Sequence, residues 1–210
     1  MKIKICGIFR EEDVDYVNEA MPDFIGFVFA RSRREVSPAG AEKLRRRLAP
    51  GIKAVGVFVD APAADIAALH RDGVIDMAQL HGTEDEGYIE RLKELCNVPV
   101  IKAIVVNEEA RPLLSISHSQ LLDYYLIDSG AGSGKTFNWS IMESGGSFSA
   151  RINASGKPWF LAGGINPGNV EEAVKLRPFC VDISGGAETN GLKDREKILQ
   201  LTAMVKGNSI

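Results

Sequence analysis

The sequence is poor in the residues that build disulfide frameworks and metal sites, because its 210 residues include only three cysteines and three histidines. Cys6, Cys96 and Cys180 are odd in number and far apart, so they lack the paired spacing of a zinc or redox motif. His70 and His118 belong to no cluster of possible ligands. We therefore expect no metal site and no structural disulfide, and we interpret Cys96 and Cys180 as small buried apolar residues.

The sequence also lacks long apolar runs and a strong charge of either sign. No segment approaches the roughly 20 apolar residues of a membrane span, and the N-terminus enters a strand pattern without the apolar region of a signal peptide. The formal net charge of -3 leaves no basic footprint for nucleic acid. These features predict a cytoplasmic protein with a small-molecule partner, no membrane or nucleic-acid contact, and no obligatory protein partner.

Short apolar, β-branched runs recur along the chain and alternate with segments of helical spacing. The runs lie at residues 3–6, 24–29, 54–59, 77–80, 100–104, 124–127, 159–162 and 181–184, and helical spacing occurs at 39–48, 64–71, 84–95, 166–176 and 194–205. Several runs are nearly all apolar rather than alternating, which is typical of parallel strands covered on both faces. With no composition break, this pattern predicts one α/β domain over residues 1–210, a (β/α)8 barrel; a doubly wound open sheet is the alternative.

Two residues that can move protons stand where predicted strands give way to loops. Cys6 ends the first run and Asp128 follows the sixth. In a parallel barrel the carboxyl ends of all strands converge on one face, so these two side chains can share one pocket. Position alone, however, favours a buried thiol at Cys6 and a capping or loop carboxylate at Asp128.

Glycine is concentrated after the last three predicted strands, where barrels commonly bind phosphate. The clusters contain Gly132, Ser133 and Gly134, then Gly163 and Gly164, then Ser184, Gly185 and Gly186. Glycine lets backbone N–H groups approach an anion closely, so we predict a phosphorylated substrate. Residues 130–136 also resemble a nucleotide-binding P-loop, but the first glycine that this motif needs would fall five positions before Gly134, where the chain has Ser129.

Seven motifs, in order over nearly the whole chain, resemble phosphoribosylanthranilate isomerase of tryptophan biosynthesis. They are Lys-Ile-Cys-Gly-Ile at 4–8, Gly-Phe-Val-Phe at 26–29 with Ser-Arg-Arg at 32–34, Val-Gly-Val-Phe-Val at 55–59, Gln-Leu-His-Gly at 79–82, Gly-Lys-Thr-Phe-Asn-Trp at 134–139, Leu-Ala-Gly-Gly-Ile at 161–165 and Val-Asp-Ile-Ser at 181–184. The resemblance implies a (β/α)8 barrel. It also implies a cofactor-free Amadori rearrangement of N-(5-phosphoribosyl)anthranilate.

Carried over by position, the resemblance makes Cys6 the general base and Asp128 the general acid. It places Arg34 near the anthranilate carboxylate, and His81 and Asp182 in the substrate pocket. The reaction requires Asp128 to hold a proton when substrate arrives, and it requires the pKa of the Cys6 thiol to be brought down toward neutrality.

The sequence departs from the family pattern at two positions of the phosphate loops. Gly185 stands where many relatives have a second serine, and Ala131 where many have a glycine. Backbone donors survive both changes, so the expected chemistry is unaffected.

Two rival functions remain open. The sugar-phosphate isomerase of histidine biosynthesis would share the phosphate loops but use aspartates as both acid and base, which Cys6 argues against. A non-catalytic phosphate-binding barrel would need neither a thiol nor an acid at its strand ends.

Overall fold

The computed structural model of the chain describes residues 1–106, 120–128, 152 and 154–207. Eight parallel strands in these ranges close into a barrel in sequence order. They are β1 (Lys2–Cys6), β2 (Phe24–Val28), β3 (Lys53–Phe58), β4 (Met77–Leu80), β5 (Val100–Val105), β6 (Tyr124–Asp128), β7 (Trp159–Leu161) and β8 (Cys180–Ile183). The barrel closes where β1 pairs with β8, with Ile3 opposite Val181.

The described helices surround this barrel. They are α1 (Glu11–Ala20), α2 (Pro38–Arg47), α3 (Ala63–Arg71), α4 (Glu86–Leu95), α5 (Val170–Lys175) and α6 (Arg195–Lys206). A 3-10 turn (Gly185–Ala187) and a small antiparallel pair, β9 (Glu188–Thr189) and β10 (Leu192–Lys193), follow β8. None of the helices in the described ranges combines the length and the apolar character needed to cross a membrane.

Local capping explains where several helices begin. The Ser37 hydroxyl accepts the Gly40 N–H at 3.1 Å, directly ahead of Pro38 at the first helical position. The Asp85 and Asp194 carboxylates cap α4 and α6 by accepting backbone N–H groups three residues further on. Each cap satisfies a backbone donor that the helix leaves unpaired.

Side chains alternate across each strand, so the barrel has an outer and an inner apolar layer. The outer layer packs strand residues such as Ile3 and Ile5 against helix residues such as Val14 and Val17. The inner layer fills the barrel with a separate set: Phe24, Val55, Met77, Ile101, Ala103, Leu126, Phe160, Ala162 and Cys180.

The lower end of the barrel interior is closed by aromatic rings. Phe24, Tyr124, Phe160 and Phe179, which we call the aromatic floor, pack with ring centroids 5.3 to 6.4 Å apart. The Tyr124 and Phe160 rings meet edge to face, an arrangement that the ring quadrupoles favour.

The predicted (β/α)8 barrel is confirmed, and the doubly wound alternative is wrong. Every predicted strand lies on an observed one, with ends that differ by one residue at most. Helix α1 was not among the predicted helices, because only three of its ten residues are buried and one of these is Asp13. Helix α5 begins at Val170 rather than 166, because Asn166 and Asn169 form a hydrogen-bonded turn ahead of it.

Candidate active site

A cavity of about 1000 Å³ opens at the carboxyl ends of the strands. Its lining includes the predicted catalytic residues Cys6 and Asp128, which come from β1 and β6. The other predicted site residues in the described ranges also line it, namely Arg34, His81, Asp182, Gly163, Gly164, Ser184, Gly185 and Gly186. The predicted phosphate ligands Gly132, Ser133 and Gly134 lie outside the described residues.

Cys6 reaches the cavity because the neighbouring strand offers it space. Cys6 pairs in register with Gly26 of β2, and a Cβ at Gly26 would lie 2.6 Å from the Cys6 Sγ. Burial raises the pKa of the Cys6 thiol above its usual value, while the nearby Lys4 ammonium pulls it down in part. The direction is opposite to the expected shift toward neutrality, because burial in the protein disfavours the thiolate more than Lys4 favours it.

A buried ion pair lies beneath Cys6. Lys4 is fully buried, and its Nζ donates to Asp182 Oδ2 at 2.8 Å and to Gln79 Oε1 at 2.9 Å. Burial alone would lower the pKa of Lys4, but the negative charges of Asp182 and of a Cys6 thiolate outweigh it and raise that pKa. Lys4 therefore keeps its charge, and Asp182 presents a buried Oδ1 that has no hydrogen-bond partner among the described residues.

His81 connects the two sides of the cavity. Its Nδ1 lies 3.0 Å from Gln79 Nε2, and its Nε2 lies 3.4 Å from Asp128 Oδ2. Gln79 and His81 are two residues apart at the end of β4, so their side chains lie on the same face of the strand.

Arg34 is held by an acidic residue that the sequence analysis did not identify. Glu188 accepts Arg34 Nε at 2.5 Å and Nη2 at 2.9 Å, and it also accepts the Nζ of Lys193 and the Nη2 of Arg33, each at 2.8 Å. Burial alone would raise the pKa of Glu188, but hydrogen bonds from Arg34 and Lys193 lower it to about 2. Arg34 Nη1 is the guanidinium nitrogen left without a partner among the described residues, and Arg34 lines the cavity.

The glycine loops bring bare backbone to the cavity. Gly163 and Gly164 have φ values of 96° and 67°, in a region of backbone conformation that residues other than glycine rarely adopt. A Cβ at Gly186 would lie 1.9 Å from the carbonyl oxygen of Ile165, so the loops after β7 and β8 pack too closely for any side chain there. Two neighbouring loops thus present a concave backbone surface of the kind that binds anions.

The sequence profile of the N-(5'-phosphoribosyl)anthranilate isomerase family matches residues 3–203 of the chain. The chain belongs to this family. An N-(5'-phosphoribosyl)anthranilate isomerase of Endomicrobium trichonymphae is 44% identical over 206 residues, which cover 98% of each chain. The crystal structure of the phosphoribosyl anthranilate isomerase of Thermotoga maritima superposes with a TM-score of 0.84 at 34% identity, covering 99% of each chain.

A second solved phosphoribosyl anthranilate isomerase was crystallised with reduced 1-(o-carboxyphenylamino)-1-deoxyribulose 5-phosphate. It superposes with a TM-score of 0.82 at 32% identity, covering 99% of each chain. Membership of the phosphoribosylanthranilate isomerase family decides against the two rival functions, the sugar-phosphate isomerase of histidine biosynthesis and the non-catalytic phosphate-binding barrel.

Four polar residues of this isomerase site were given no role from the sequence: Lys4, Gln79, Glu188 and Lys193. A signal existed for Lys4, because a charged residue two positions before Cys6 in an apolar strand must share its face and be buried with it. Glu188 carried no such signal, since its partner Arg34 lies 154 positions away.

Proposed function

We propose that the chain carries out the isomerisation of its family with Cys6 as general base and Asp128 as general acid. The family assignment supplies the reaction, an Amadori rearrangement of N-(5'-phosphoribosyl)anthranilate in tryptophan biosynthesis. The observation that supports the two roles is that Cys6 and Asp128, from strands on different sides of the barrel, line the same cavity. The same proposal treats residues 1–210 as one cytoplasmic catalytic domain that needs no protein partner.

The first step is opening of the ribose ring. Asp128 donates its proton to the ring oxygen, the bond between this oxygen and C1 breaks, and the nitrogen lone pair forms a protonated Schiff base with C1. The carboxylate that Asp128 becomes then faces His81 Nε2 at 3.4 Å.

The second step is removal of the C2 proton. Cys6, as thiolate, takes this proton, and the released electron pair forms the C1–C2 double bond of an enolamine while the nitrogen loses its positive charge. The enolamine becomes the aminoketone product by transfer of a proton from the C2 hydroxyl to C1. The proton that Cys6 released to solvent when it became a thiolate is matched by one that Asp128 takes back from solvent, so both groups end the cycle as they began it. The substrate is rearranged without net oxidation or reduction, so no redox cofactor is required.

Cys6 must lose its proton although burial raises its pKa in the ligand-free protein. Three positive charges favour the thiolate: the ammonium groups of Lys4 and Lys193, and the Schiff base that forms above Cys6. We infer that ring opening precedes and promotes the deprotonation of Cys6. Free Cys6 is then a poor nucleophile, which protects it from side reactions.

The two ends of the substrate fit the two charged sides of the cavity. The backbone at Gly163, Gly164 and 184–186 suits the phosphate, and Arg34 Nη1 suits the anthranilate carboxylate. Asp182 also lines the cavity, and its Oδ1 is an acceptor without a hydrogen-bond partner among the described residues. The ligand in the related crystal structure carries both a carboxyl and a phosphate group.

Replacement of the acid tests this proposal. Phosphoribosylanthranilate generated in place is followed by loss of its anthranilate fluorescence, and Asp128→Asn should lower kcat by about 10²- to 10⁴-fold. The reduced product analogue should still bind. Asp85→Asn is the matched control, since asparagine caps a helix as well as aspartate does and Asp85 caps α4. Activity of Asp128→Asn within threefold of the parent would rule out the acid role.

A further inference from the structure

Three contacts in series connect the buried Lys4 to Asp128. Lys4 Nζ lies 2.9 Å from Gln79 Oε1, Gln79 Nε2 lies 3.0 Å from His81 Nδ1, and His81 Nε2 lies 3.4 Å from Asp128 Oδ2. We propose that Gln79 is a positioning residue, which together with Lys4 holds His81 neutral, with its only ring proton on Nε2 and directed at Asp128. The catalytic meaning of this arrangement rests on the proposed role of Asp128 as the acid.

The orientation of the Gln79 amide follows from Lys4. An ammonium group has three donors and no acceptor, so the amide atom that faces it must be the oxygen. Lys4 is fully buried, and its ion pair with Asp182 keeps it charged. Gln79 is only 2% exposed, so its amide contacts these two partners rather than bulk water. A flipped amide would point its NH₂ group at the ammonium, which leaves two buried donors facing each other.

The tautomer of His81 follows in turn from the amide. With its oxygen facing Lys4, Gln79 presents its NH₂ group to His81 Nδ1, and this nitrogen must therefore offer a lone pair. A neutral imidazole with a free Nδ1 carries its proton on Nε2. An imidazolium would place an N–H donor against the NH₂ group, so the same contact that selects the tautomer also opposes the charge.

A neutral Nε2–H is the state of His81 that suits an acid at Asp128. A full positive charge 3.4 Å from Oδ2 would hold Asp128 as a carboxylate that has no proton to give. A bare Nε2 lone pair would repel the carboxylate after its proton had left. The neutral N–H avoids both effects, since it stabilises the carboxylate formed on ring opening without ionising Asp128 beforehand.

The tautomer can be observed directly in the ligand-free protein. Ring ¹⁵N spectra are practical because the chain has three histidines, and loss of one set of signals in His81→Gln assigns His81. The expected spectrum at neutral pH shows one protonated nitrogen, Nε2, and one unprotonated nitrogen, Nδ1. An imidazolium, or a proton on Nδ1, would overturn the proposal without any reference to activity.

Two variants of Gln79 separate positioning from simple packing. In Gln79→Glu both side-chain oxygens accept, so Nδ1 must become the donor, and the ¹⁵N spectrum should show a protonated Nδ1. In Gln79→Met the shape is kept and both hydrogen bonds are lost, so the tautomer is no longer fixed. We expect kcat to fall at least about tenfold further in Gln79→Glu than in Gln79→Met. This loss is part of the about 10²- to 10⁴-fold rate increase that a general acid contributes.

A packing role predicts the reverse order, with Gln79→Met as damaging as Gln79→Glu or more so. Equal losses of kcat, or an unchanged His81 spectrum in Gln79→Glu, would therefore contradict the proposal. Failure of the acid role itself is distinguishable, because Asp128→Asn would then keep its activity while the wild-type His81 spectrum still showed the Nε2 proton.

Discussion

The two ends of the barrel interior are built from different chemistry although they lie on the same strands. The aromatic floor consists of rings that pack against one another at centroid distances of 5.3 to 6.4 Å. The upper end contains Lys4, Gln79 and Asp182, which are polar and almost fully buried. The floor gains free energy from the burial of apolar area, whereas the buried polar groups of the upper end depend on specific partners. Asp182 Oδ1 is the exception, because it has no partner among the described residues.

The two ends therefore tolerate different changes. An apolar contact is non-directional, so the floor can absorb small shifts of its rings, while a buried ion pair loses most of its value when one partner is removed. Changes in the floor should therefore affect stability alone, whereas changes in the upper end should also affect catalysis. Substitutions at the two ends can separate these effects.

The largest effect is expected for Cys6→Ser at the upper end. Because a hydroxyl is a far weaker base than a thiolate, kcat should fall by about 10²- to 10⁴-fold while the melting temperature changes little. Steady-state kinetics and thermal unfolding measure the two quantities. Cys96→Ser is the control, since Cys96 lies at the end of α4 and does not line the cavity. Turnover of Cys6→Ser within threefold of the parent would disprove the base role.

Phe160→Ala makes the opposite change at the floor. Phe160 is fully buried and contacts three other rings of the floor, so its truncation should cost about 3–5 kcal/mol of unfolding free energy. The folded fraction should keep a kcat close to that of the parent, because no group of the cavity is touched. Denaturant unfolding and activity per folded molecule check this prediction. A loss of kcat at unchanged stability would show that the floor affects catalysis rather than stability.

Glu188 is a residue of the upper end whose replacement should change stability. Its pKa is lowered to about 2 from an ordinary 4.5, so its stabilising ion pairs are fully present above pH 4.5 and are lost as the pH falls toward 2. Glu188→Gln should cost about 1.5–3 kcal/mol at neutral pH, and this difference should shrink as the pH falls through that window. A pH series of unfolding free energies for the parent and Glu188→Gln measures it. A difference that stayed constant from pH 6 to pH 2 would count against the ion-pair cluster.

The smallest effect is expected for the phosphate loop. Gly164→Val should raise KM by about tenfold, equivalent to about 1.4 kcal/mol, because a branched side chain at φ 67° is strained and blocks approach to the backbone. Gly164→Ala has the same backbone strain with less bulk and serves as the control. Inorganic phosphate should protect the parent from unfolding more than it protects Gly164→Val. Equal KM values in a folded Gly164→Val would place the phosphate elsewhere.

The sequence could predict the barrel because each strand is specified locally. A run such as 24–28 is apolar throughout, and flanking turns mark where it begins and ends. Helix α1 was not predicted because its buried face consists of Val14, Val17 and the capping Asp13. Two apolar residues are too few to show the periodicity of an amphipathic helix.

The candidate site was predictable only in part. Cys6 and Asp128 stand at strand ends, which can be located from the apolar runs of the sequence. The family resemblance supplied their roles. The partners that hold the site, such as Glu188 for Arg34 and Gln79 for His81, depend on which strands and loops become neighbours. Partner choice over such distances is a property of the folded barrel, and no local spacing encodes it.

The ion pair between Lys4 and Asp182 joins residues that lie 178 positions apart, on the first and the last strand of the barrel. A ribosome makes Lys4 and Cys6 long before it makes Asp182, which lies 178 positions after Lys4. During translation Lys4 therefore lacks its partner Asp182, and β1 has one unpaired edge until β8 has been synthesised. The active site is complete only when β8 pairs with β1 and the barrel closes. A partly synthesised chain should therefore be inactive.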